Sequence, residues 1–125
     1  MAWKSLRFGA LWIALVLAGC GGESLEQAVI RAGGDPDAGR VKVAQFGCPA
    51  CHSIPGFAAG EGQIGPSLAG LAERPTLAGG VPNTPENLML WIRRPSDVVP
   101  GTTMPVLGLT EQDSRDVAAF LYSLP

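Results

Sequence analysis

Cys48-Pro49-Ala50-Cys51-His52 is a C-x-x-C pair followed directly by histidine, the attachment pattern of a c-type haem. Thiols at this spacing can each form a thioether to one haem vinyl group, and the adjacent His52 offers a ring nitrogen to the iron. Half of a zinc site and a thioredoxin-like dithiol share the first part of the pattern. A structural zinc needs four ligands, and the remaining Cys or His candidate is Cys20, far upstream in an apolar segment. A thioredoxin-like site needs a strand-helix-strand frame, which the flanking sequence lacks. The expected cofactor is one covalent haem c with its iron, and the expected chemistry is electron transfer.

Upstream of the motif, the front end reads as a targeting segment. The chain has 125 residues, one domain's worth at most. Lys4 and Arg7 form a short basic region, residues 11–17 are apolar, and Ala18-Gly19-Cys20 closes the run with small residues before a cysteine. The run is too short for a membrane-spanning helix. Leu17-Ala18-Gly19-Cys20 resembles the lipobox of bacterial lipoproteins, where cleavage leaves the cysteine lipidated as the new first residue. The alternative is an ordinary signal or an uncleaved anchor helix in which Cys20 is incidental. The expected organisation is a lipoprotein signal over 1–19, lipidated Cys20 with a flexible tether over 20–34, and a haem domain over 35–125. Either version puts the domain outside the cytoplasm, on the periplasmic side of a bacterial membrane, where c-type haem is attached. A tether of about fifteen residues reaches on the order of 50 Å extended and about 20 Å as a coil, so the domain stays near the membrane. Gly21 stands where an aspartate would favour inner-membrane retention, a hint toward the outer membrane.

Cysteine arithmetic then closes. Cys48 and Cys51 go to the haem and Cys20 to the lipid, leaving no thiol for a disulfide or a catalytic nucleophile. His52 is the sole histidine, which excludes a bis-histidine haem; a sixth iron ligand is of another type or absent. With the signal removed, Lys42 is the one remaining lysine and the balance is acidic. No basic patch suggests nucleic acid, and neither a small-molecule substrate nor an enzymatic activity is expected.

The element pattern is all-α, with several short helices and long Gly- and Pro-rich loops around the cofactor. A helical turn is expected over 25–30. Asp35-Pro36-Asp37 starts a helix over 38–46 that Gly47 ends. A short helical stretch over 67–73 follows the loop after the motif. Thr84-Pro85-Glu86 gives a cap, a first-turn proline and an acid at the positive end of a helix over 86–94, which stops at Pro95. Thr110, with Asp113 three residues on, caps a last helix running to Ser123, with Val117, Phe120, Leu121 and Leu124 as its apolar stripe. No run alternates well enough for a strand.

Thioether sulfur favours reduced iron and is the natural partner for a histidine-ligated haem. Met1 is in the signal and Met89 lies on a helix as core filling. Met104 sits in the stiff loop Pro100-Gly101-Thr102-Thr103-Met104-Pro105 and is the expected sixth ligand. With that loop the chain resembles the class I cytochromes c over residues 35–124, which implies the cytochrome c fold of three to five short helices wrapped round one haem. By that resemblance, the Pro66 carbonyl accepts a hydrogen bond from His52, Arg74 stands near a haem propionate, and Trp91 packs beside the Met104 ligand. Asn83-Thr84-Pro85-Glu86-Asn87-Leu88 with Trp91 is similar to the cytochrome domains fused to subunit II of bacterial haem-copper oxidases. One departure is Ala44, where the mitochondrial pattern places an aromatic residue; Phe46 lies nearby. The resemblance implies a membrane-tethered electron carrier between a quinol-oxidising complex or other donor and a terminal oxidase or reductase. The other function class is haem-based ligand binding, sensing or peroxidase-like chemistry, which requires an open iron position.

Overall fold

A computed structural model of the protein describes residues 24–58 and 64–125, so the expected signal over 1–19 and Cys20 lie outside the described residues. The first described segment is helical. In α1 (Leu25–Ala32), the Ser24 hydroxyl accepts from the Gln27 N–H while the Gln27 side chain accepts from the Ser24 N–H, and Gly33 at φ 65° ends the helix. Ala32 is buried and Val29 packs against the core. The described part of the expected flexible tether, residues 24–34, is therefore folded onto the domain. The reciprocal cap starts the helix, and its apolar face on the core holds it there.

Asp35 caps α2 (Pro36–Gln45) by accepting from the Asp37 and Ala38 N–H groups, with Pro36 in the first turn. Two further starts follow the sequence pattern. Thr84 accepts from the Asn87 N–H at the head of α3 (Pro85–Arg93), and Thr110 and Asp113 form a reciprocal cap on α5 (Glu111–Tyr122). Pro95 does more than stop α3. It opens a one-turn helix, α4 (Pro95–Val98), at the position where its missing N–H costs nothing. The helix expected over 67–73 shrinks to a single 3₁₀ turn, Leu71–Glu73. The Arg74 guanidinium takes the Ser67 and Ala69 carbonyls, acceptors that a helix there would have used for itself.

Helices α1, α2 and α3 all pack on α5, whose residues 116–122 are buried without a break. The Val117, Phe120, Leu121 and Leu124 stripe lies in the core, each side chain contributing roughly 1.5–3 kcal/mol by burial. At the α2–α5 crossing the backbones touch: a Cβ on Gly39 would fall 2.0 Å from the Asp116 carbonyl oxygen. The exposed Ala44 contributes no ring to this contact. The aromatic packing on α5 comes instead from Phe57, edge-on to Phe120 at 6.0 Å.

Lys42 locks the same crossing, its Nζ 2.7 Å from Asp113 and 2.6 Å from Asp116 on α5. Hydrogen bonds from Lys42 and from Thr110 pull the Asp113 carboxyl down to about 2. Burial pushes Asp116 up, but bonds from Lys42, the Asp35 N–H and Gln112 outweigh it and leave the carboxyl below its usual range. The hydrogen bonds to Asp113 and Asp116 raise Lys42 in turn.

Among the described residues there are five α-helices and no strand, only an isolated bridge between Thr76 and Pro82. The all-α expectation is met. No described helix is long and apolar enough to cross a membrane.

Candidate functional site

Gly47, at φ 74°, turns the chain out of α2 into a 3₁₀ turn over Cys48–Ala50. The Cys48 carbonyl then accepts from both the Cys51 and His52 N–H groups, at 3.2 and 3.0 Å. This winding brings Cys48, Cys51 and His52 to one place, and all three line a cavity of about 280 Å³. Both thiols are free. Burial pushes the Cys48 thiol up, the opposite of the lowered value that a reactive dithiol needs.

His52 is held by the loop that follows. Its Nδ1 lies 2.7 Å from the Pro66 carbonyl oxygen, which only accepts, so Nδ1 donates and in the neutral ring Nε2 is the nitrogen with the lone pair. Two backbone bonds bracket that contact: Gly65 N–H donates to the Cys51 carbonyl at 2.8 Å and Leu68 N–H to the Ser53 carbonyl at 2.9 Å. Gly65 is required for the ring to fit. A Cβ there would stand 2.4, 2.6 and 2.9 Å from His52 Cε1, Nδ1 and Nε2.

Met104 comes from the far side of the sequence. Gly101, at φ 79°, turns the loop after α4, and the Thr102 hydroxyl accepts from the Met104 N–H at 3.2 Å. The half-buried Met104 lines the 280 Å³ cavity together with His52 and Trp91. The same three residues, with Cys48 and Pro66, also line a second cavity of about 310 Å³. Met89 packs on the core and lines neither.

The structure thus brings together Cys48, Cys51, His52, Pro66, Trp91 and Met104, with Arg74 on the wall of the larger cavity. Arg74 has a visible task of its own, donating at 2.6 and 2.7 Å to the Ser67 and Ala69 carbonyls. The rest of the larger cavity's wall is aliphatic, including Val43, Leu71, Leu88, Ile92, Val117 and Leu121, of which the sequence marked Val117 and Leu121 as an apolar stripe. Among the described residues no carboxylate lines either cavity, and no group of three or more His, Cys, Asp or Glu is placed to hold a metal ion.

These residues fit a haem. A flat apolar macrocycle suits the aliphatic walls, two free thiols suit the vinyl groups, and an imidazole with its Nε2 lone pair free and a thioether are the available iron donors. The raised Cys48 thiol does not suit a reactive dithiol, and zinc finds no four-ligand set among the described residues.

The comparisons agree with this geometry. Residues 37–125 match the family model described as Cytochrome c. The chain is also 33% identical over 87 residues to cytochrome c oxidase subunit 2 of Alkalihalophilus pseudofirmus (strain ATCC BAA-2126 / JCM 17055 / OF4), a match that covers 69% of this chain. The chain spans 25% of that relative's length. Fold, cavity lining and family match lead to one conclusion: the chain belongs to the cytochrome c family and carries covalent haem c for electron transfer.

Proposed function

We propose that this chain is a membrane-tethered, single-haem electron carrier of a bacterial respiratory chain, with His52 and Met104 as iron ligands and lipid on Cys20 as the anchor. The observation that carries the reading is that His52 and Met104, 52 positions apart in sequence, line the same two cavities. The haem iron, when bound, supplies one-electron chemistry between its ferric and ferrous states. The protein's part is to hold that group still. Cys48 and Cys51 tether it, Pro66 and Gly65 fix the His52 ring, and the loop over 100–105 keeps a weak thioether donor in place. Trp91 packs beside the ligand loop and Arg74 lies near the propionate edge, as the family resemblance implies.

The respiratory role is supported by the oxidase-subunit relative, whose name places that protein in a terminal oxidase. On this reading the donor is a quinol-oxidising complex or another redox protein, and the acceptor a terminal oxidase or reductase. Localisation on the periplasmic side is supported by the lipobox-like Leu17-Ala18-Gly19-Cys20.

The test is carbon monoxide binding by the ferrous protein at neutral pH. A carrier with both ligands in place resists it. Ready binding would overturn the carrier reading in favour of a sensor or peroxidase-like protein. Membrane attachment is tested separately: Cys20→Ala should move the protein from the membrane to the soluble fraction, and an unchanged distribution would remove the lipid anchor.

A further inference from the structure

Asn83 lies in the loop before α3 and lines neither cavity, yet its side chain is engaged on all sides. Its amide nitrogen donates to the Leu71 carbonyl at 2.7 Å and to the Arg74 carbonyl at 2.8 Å. Its Oδ1 accepts from the Tyr122 hydroxyl, also at 2.8 Å. Tyr122 is 2% exposed at the end of α5, so its hydroxyl orients the amide from inside the core.

The two carbonyls that Asn83 takes are the two ends of the turn over 71–74. Arg74 reaches back from that turn to the Ser67 and Ala69 carbonyls. Ser67 directly follows Pro66, whose carbonyl accepts from His52 Nδ1. Hydrogen bonds joined by short stretches of chain therefore run from the last helix to the imidazole through this turn, whose Leu71 is also buried in the core. A second anchor, Gly70 N–H to the Pro125 carbonyl at 2.8 Å, ties the same turn to the chain end.

We propose that Asn83, oriented by Tyr122, is a positioning residue for His52. It fixes the 71–74 turn so that Arg74 pins the 67–69 segment and keeps the Pro66 carbonyl on Nδ1. This deepens the reading of His52 as an iron ligand and rests on it. The Nδ1 bond sets ring orientation and ligand basicity, so a residue that holds its acceptor acts on the ligand without touching it.

The test is hydrogen exchange of the His52 ring N–H in the ferric haem-bound protein, followed by NMR and expressed as a ratio to the exchange of buried α5 amides. Tyr122→Phe removes the hydroxyl at little change in shape, and Asn83→Ser removes both amide donors. Each should raise the ratio roughly tenfold, about the loss of one net hydrogen bond. Thr110→Ala, which uncaps α5 elsewhere, should leave the ratio unchanged because it destabilises ring and helix together. Equal ratios in all three variants would overturn the proposal.

Should neither Asn83→Ser nor Tyr122→Phe fold, the unsubstituted protein decides. Under mild denaturant the Asn83 side-chain amide protons and the His52 ring proton should exchange as one unit; separate exchange overturns the proposal. Absence of an iron-shifted His52 ring proton in the unsubstituted protein would instead overturn the ligand reading itself.

Discussion

A single methyl group separates the observed His52 ring position from an impossible one. Gly65→Ala would put a Cβ within 3 Å of three imidazole atoms, and a ring held by Pro66 on one side and by a covalently attached motif on the other has little room to yield. The expected cost is about 1–3 kcal/mol of stability, the usual range for overpacking, read as a fall in thermal midpoint. An unchanged midpoint would mean that the ring moves freely. Met104→Ala should lower the reduction potential by something on the order of 0.1 V, a fraction of the roughly 0.8 V that axial ligands span, and should admit carbon monoxide. The covalent motif was legible in sequence because its chemistry demands fixed residue types at fixed spacing. Asn83 was not, since its role is to satisfy backbone carbonyls of a segment 9 to 12 residues away, and carbonyls leave no trace in side-chain identity.

At the scale of elements, caps were the readable signals. Asp35, Thr84 and Thr110 each begin the helix that their side chains announce, because an oxygen at that position answers N–H groups that the helix cannot satisfy itself. Thr110→Ala should therefore cost about 1 kcal/mol, or a fall of roughly 4–8 °C in thermal midpoint. Where long-range contacts decided, the sequence was silent. Arg74 unwound the expected 67–73 helix, and the core captured α1 from an expected tether.

The α2–α5 clamp adds a pH dependence. Asp113 is about 2 in the fold against an ordinary value of 3.8, so it binds fewer protons folded than unfolded, and its contribution is present above about pH 4. It is lost as pH falls from about 4 to about 2. Lys42 is raised, so its contribution is full below about 10.5 and disappears as alkali titrates it above that value. The expected result is that Asp113→Asn flattens the acid limb of stability measured by circular dichroism, while unaltered acid sensitivity would assign that limb to other carboxylates.

For the whole molecule, the distribution of cations sets how it meets partners. Lys42 is committed to Asp113 and Asp116, Arg31 to Glu86, Arg93 and Arg115 to Glu111, and Arg94 to Asp97. Arg40 and Arg74 donate to backbone carbonyls. Among the described residues no cation is left without a partner of this kind. Steering by a positive face is therefore weak, and docking should be small in area, as fits rapid exchange of redox partners. The electron-transfer rate with a redox partner is expected to change less than about threefold as ionic strength rises from roughly 0.01 to 0.1 M, where the Debye length falls from about 30 to about 10 Å. A steep fall would point to a charged docking face. At this scale the sequence disclosed the class of the fold but not its cavity, whose walls come from segments between Val43 and Leu121 that meet only when the chain closes on α5.

The most direct measurement is the sulfur-to-iron charge-transfer band of the purified ferric protein, recorded beside its Met104→Ala variant. The His52/Met104 account requires the band in the former and its loss in the latter, with covalent haem retained in both. A protein that lacks the band, or a variant that keeps it, would contradict the account.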